Sequence, residues 1–278
     1  MMRIAIPISA VLFSLSAICH AQETKMTIPA SDQTAQKTLA DSPRHGEWAD
    51  IAIPGSQTKL HTYVVYPERK EKAGVVLVIH EIFGLTDWVR SVADQLAADG
   101  FIAVAPDFLS GTGPNGGGTE SFPADQVRAA IGKVSREEVN KRLDAARAYA
   151  IALPAANGKA ATIGFCWGGT ASFAYAVHQP KLSAAAVYYG TAPTDKEALA
   201  KIACPVEGLY GQDDARVTAT VEPTAKSMKD LNKSYEAHVY DGAGHGFLRQ
   251  QSGKDGANLK ASQEAWKRTV EFLKKAVE

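Results

Sequence analysis

The residues best suited to chemistry begin with Cys166, in Gly164-Phe165-Cys166-Trp167-Gly168. The spacing G-x-C-x-G is the thiol counterpart of the G-x-S-x-G nucleophile elbow. An apolar run precedes it and a helical pattern follows, which is the context that turn needs. Glycines on both sides let the backbone bend sharply, and the start of a helix supplies N–H dipoles that favour a thiolate. Taken alone, the stretch also fits a small buried cysteine, since free cysteine is among the most buried residue types.

A nucleophile needs a base and a group that orients the base. Two loops downstream supply candidates, each directly after an apolar run. Gly211-Gln-Asp-Asp-Ala-Arg-Val217 brings Asp213 and Asp214, and Gly242-Ala-Gly-His-Gly-Phe247 brings His245. The D-x-x-V spacing to Val217 selects Asp214, and Asp213 reads as a loop or cap side chain. Upstream, Val-Ile-His80-Glu81-Ile82-Phe83-Gly places Glu81 at a strand end. The N–H of Ile82 can pair with that of Trp167 as an oxyanion hole. A carboxylate beside a thiol disfavours the thiolate, so Glu81 holds the resting thiol protonated or removes its proton once substrate arrives. Phe83, Trp167 and Phe247 are the aromatic candidates for lining a pocket.

These residues must be carried by alternating strands and helices. Apolar runs at 60–66, 74–79, 101–105, 160–163, 184–189, 206–210 and 235–240 read as strands. Helical periodicities lie at 86–99, 136–153, 167–178, 218–231 and 262–277. The alternation predicts an α/β fold, with a mostly parallel sheet of about seven to eight strands and helices on both faces. The more alternating stretch 47–66 suits an antiparallel edge hairpin. The glycine-rich loop 111–120 lacks the context of a phosphate-binding loop and reads as a mobile loop beside a pocket.

With 30 basic and 30 acidic residues the net charge is zero, which gives no electrostatic reason to expect nucleic acid or an anionic membrane as partner. Residues 1–21 have an early Arg3, an apolar middle and a small-residue end at Ala21, the pattern of a cleaved secretory signal. The expected organisation is therefore a signal peptide at 1–21, a polar N-terminal extension at 22–46 and a single domain at 47–278. Export, to the periplasm of a bacterium, is the expected localisation. Signal removal leaves Cys166 and Cys204; a disulfide between them is conceivable in an oxidising compartment, but Cys204 opens an apolar run and reads as core.

In order, H-E-I-F-G, A-P-D-F, G-F-C-W-G-G, G-Q-D-D-A-R-V and G-A-G-H-G-F resemble the dienelactone hydrolase family, cysteine hydrolases of the α/β-hydrolase fold. The resemblance covers roughly residues 47–277. It implies hydrolysis of a small ester or lactone through an acyl-enzyme, with Cys166 as nucleophile, His245 as base, Asp214 as orienting acid and Glu81 activating the thiol through a conformational change. It also implies two arginines that clamp a substrate carboxylate: Arg249 matches one, and Ser110 stands where the other is expected. No metal or organic cofactor is expected. The expected partner is a small-molecule ester or lactone, with no nucleic acid, no membrane after signal removal and a monomeric assembly. The alternative is a noncatalytic exported ligand-binding or scaffold protein on the same fold.

Overall fold

The structure is a computed structural model that describes residues 27–278, so the signal peptide expected at 1–21 and the first residues of the extension lie outside it. The described residues open with α1 (Ala35–Ala40), β1 (Gly46–Ala52), β2 (Lys59–Val65), β3 (Ala73–Ile79), α2 (Asp87–Ala98) and β4 (Ile102–Pro106). Next come α3 (Ala124–Ile131), α4 (Arg136–Ile151), β5 (Ala156–Phe165), α5 (Trp167–His178), β6 (Ala185–Tyr188) and α6 (Lys196–Ala200). The last part holds β7 (Val206–Gly211), α7 (Ala215–Thr218), α8 (Val221–Asp230), β8 (Tyr235–Tyr240) and α9 (Ala257–Val277).

The eight strands form one sheet in the order β1-β2-β4-β3-β5-β6-β7-β8. The pairs β1/β2 and β2/β4 are antiparallel, and the others are parallel. Parallel strands need crossovers, and the crossover helices cover both faces. Alternate side chains of β3 therefore enter two cores. Val76 and Val78 join α2 and α9 on one face, while Val75, Leu77 and Ile79 join α4 and α5 on the other. This two-sided burial is why β3 reads as an unbroken apolar run.

Several elements differ from the sequence expectation. The helix expected at 218–231 is divided into α7 and α8, and the one expected at 262–277 starts a turn earlier at Ala257. The helices α1, α3 and α6 are short and bury only one or two residues each, so their apolar periodicity is too weak to stand out. Loop 111–120 is tied down, with Asp107 accepting from the Thr119 N–H at 2.6 Å and from Thr119 Oγ1 at 2.7 Å. Residues 27–34 run over the domain as a strap: Trp88 Nε1 donates to Ala30 O at 3.1 Å and Gln251 Nε2 to Pro29 O at 2.8 Å. Among the described residues, no helix is long and apolar enough to cross a membrane.

Candidate active site

The turn from β5 into α5 puts Cys166 at φ 55°, ψ −111°, a left-handed conformation that only a constrained turn imposes on a residue with a side chain. Its N–H is held by Tyr188 O on β6 at 3.0 Å. Two glycines make the bend possible. A Cβ on Gly164 would lie 2.0 Å from Gly168 O, and one on Gly168 would lie 2.2 Å from Ile79 O. The elbow thus requires β3, β5 and the first turn of α5 to touch backbone to backbone.

Cys166, Ile82, Trp167, Asp214 and His245 all line one cavity of about 530 Å³. His245 Nδ1 is hydrogen-bonded to Asp214 Oδ2, which fixes the imidazole from behind. Asp213, one residue earlier, turns away and pairs with Lys254 at 3.0 Å. The Tyr189 ring stands edge-on to His245 with centroids 5.1 Å apart. Burial pushes the Cys166 thiol up, and the Glu81 charge pushes it further in the same direction; the Trp167 N–H and Arg216 oppose both. Together these favour the protonated thiol over the thiolate.

Glu81 is almost fully buried, which pushes its carboxyl up to about 7 against the opposing pull of Arg249. Arg249 Nε lies 2.7 Å from Glu81 Oε2 with its N–H aimed off the oxygen, so this contact is ionic rather than a well-formed hydrogen bond. On its other side Arg249 Nη1 donates to Asp32 Oδ2 at 2.6 Å, and the guanidinium stacks 5.0 Å from the Phe83 ring centre. Phe83 and Arg249 border a second cavity, of about 710 Å³, together with Asp32.

His80 is a strut. Its Nε2 accepts from the Phe108 N–H at 3.2 Å, so in the neutral ring Nδ1 carries the proton and donates to Glu81 O at 2.8 Å. Burial pushes the imidazole down and keeps it neutral. The ring also stacks on Trp167, which ties the backbone on one side of the cavity to that on the other.

Phe247, expected to line the pocket, is instead fully buried among Tyr188, Tyr189 and Tyr240 and belongs to the core. Two residues beyond the loop histidine, its side chain faces inward because the loop must cover the end of the sheet. Ser110 is also buried, accepting from the His61 N–H at 3.0 Å and donating to Asp107 O at 2.6 Å. Both thiols are free, and Cys204 is buried, which pushes it up to about 11. Sequence reasoning missed Arg128, Thr170, Tyr189, Thr191 and Arg216 as cavity residues. Tyr189 carried a signal as the end of an apolar run, and Arg216 stood inside the G-Q-D-D-A-R-V motif without being singled out; the Tyr189 φ of 40° marks a second sharp turn at a strand end. Among the described residues, no cluster of His, Cys, Asp and Glu is arranged to hold a metal ion.

The sequence model of the dienelactone hydrolase family matches residues 60–277. The chain belongs to the dienelactone hydrolase family. It is a hydrolase acting on an ester or lactone bond, and the sheet and its helices are those of the α/β-hydrolase fold. It is similar to a protein of Methylorubrum extorquens provisionally named carboxymethylenebutenolidase, with 28% identity covering 93% of this chain and 91% of that protein. An Escherichia coli protein with the same provisional name is 28% identical, covering 88% of this chain and 93% of the other. Among solved structures, one provisionally described as a dienelactone hydrolase from Klebsiella pneumoniae aligns with a TM-score of 0.71 at 25% identity, covering 82% of this chain and 98% of that one.

Proposed function

We propose that the chain hydrolyses a small ester or lactone through an acyl-enzyme on Cys166. The observation that carries this reading is that the thiol on its strained elbow and the Asp214-fixed His245 face the same cavity. Glu81 accepts the thiol proton as the sulfur bonds the carbonyl carbon. The N–H groups of Ile82 and Trp167 hold the developing oxyanion. The C–O bond then breaks, and the leaving alkoxide takes the proton back from Glu81. In the second half His245, oriented by Asp214, removes a proton from water as that water attacks the thioester. The proton passes to the departing thiolate, which restores the resting thiol and releases the acid.

A Cys166→Ala protein should retain its fold by circular dichroism and lose turnover of p-nitrophenyl butyrate by at least about a thousandfold. An unchanged rate would exclude Cys166 as nucleophile. Export completes the proposal: the charged start, apolar middle and small-residue end of residues 1–21 support cleavage after Ala21. N-terminal sequencing of the secreted protein tests it, and a retained Met1 would count against it.

A further inference from the structure

The strap at residues 27–34 precedes the family-matched region, yet its Asp32 reaches the charged chain beside the site. The strap is anchored without the help of that carboxylate. The Asp32 N–H donates to Arg249 O at 3.0 Å, Gln251 holds Pro29 and Trp88 holds Ala30. The Asp32 side chain is therefore free to serve another end. It sits on the Nη1 side of Arg249, while Glu81 faces Nε.

A guanidinium edge that opens into a cavity is a strong binding point for a planar carboxylate. The cavity that Arg249 borders has the volume of a small-molecule site and the exposed Phe83 ring on its wall, and it adjoins the Cys166 cavity, which the preceding residue Ile82 lines. Asp32 already fills the edge that an incoming carboxylate would need. Asp32 and Glu81 together offset the Arg249 charge; on the same wall Asp87 is paired with Arg90, and Glu120 adds negative charge.

We propose that Asp32 is a specificity-determining residue: it occupies the open edge of the Arg249 guanidinium and excludes esters whose acyl part is anionic, leaving uncharged acyl groups as substrates. The kinetic part rests on the hydrolysis proposed above, whereas the binding part needs no chemistry.

The test uses Asp32→Ala and Asp32→Ala/Arg249→Gln in the full chain, with thermal unfolding to check the fold. Calorimetric titration with benzoate reads whether the edge is open. Asp32→Ala should bind benzoate about tenfold or more tighter than the parent, the size of one charge-assisted hydrogen bond, and the double variant should lose the gain. Kinetically, the ratio of kcat/KM for the mono-p-nitrophenyl ester of glutaric acid over p-nitrophenyl butyrate should rise about tenfold in Asp32→Ala, chiefly through KM. Unchanged benzoate affinity in Asp32→Ala, or a gain that survives the loss of Arg249, overturns the proposal. If benzoate binds as expected but the parent protein hydrolyses neither ester, Asp32 still guards Arg249 and the hydrolysis at Cys166 is what fails.

Discussion

Adjacent residues in one loop have separate tasks: Asp214 backs His245, and Asp213 holds Lys254 at the surface. Asp214→Asn should lower kcat for p-nitrophenyl butyrate by roughly a thousand- to ten-thousandfold, because an amide can stabilise the wrong imidazole tautomer. Asp213→Asn should change it by less than about twofold, as expected for an exposed ion pair; equal losses from both would remove the distinction. The D-x-x-V spacing made Asp214 legible, since the local turn alone decides which side chain faces inward. Arg249 came to notice only through the family resemblance, four residues beyond His245. Its partner was not legible, because Asp32 is 217 residues away in the chain and no local pattern links them. Phe247 misled for the opposite reason: an aromatic residue beside a loop histidine has the same sequence signature whether it lines a pocket or plugs the core.

At the scale of elements, the elbow depends on how closely α5 approaches β3. Gly168→Ala would drive a methyl group against Ile79 O and His80 O, and backbone cannot step aside as a flexible side chain can. The expected cost is about 2–3 kcal/mol in urea unfolding, with slower alkylation of Cys166 as the turn shifts. A substitution that leaves both unchanged would mean that the two backbones can separate freely. Strand positions were legible because strands buried on both faces must be continuously apolar. The small helices were not, since α3 contributes only Val127 and Ile131 to the interior and the rest of its surface is polar or small. Arg128 reaches the cavity from that helix, and a site residue on an unrecognised element goes unrecognised with it.

Across the whole molecule, the sheet carries another buried carboxyl on the strand beside its β8 edge. Glu207 on β7 is pushed up to about 7, first by burial and then by the nearby Glu236 charge, and its Oε2 has no hydrogen-bond partner. A folded-state value above the ordinary glutamate range means that the fold favours the protonated form. That contribution is full below the ordinary range and is lost as pH rises through about 7. Glu207→Gln should therefore match the parent Tm near about pH 5 and exceed it near about pH 8 in calorimetric scans. A constant difference across that range would show that Glu207 does not titrate with folding. The strap adds a property of another kind, one of timing. Asp32 is synthesised 217 residues before Arg249, which it must meet. A chain interrupted before residue 245 thus carries the thiol elbow without His245 and without the charge that Asp32 and Glu81 share. Until the loop at 242–249 has been made, the elbow thiol therefore lacks the base proposed for it, whatever the state of the sheet beneath.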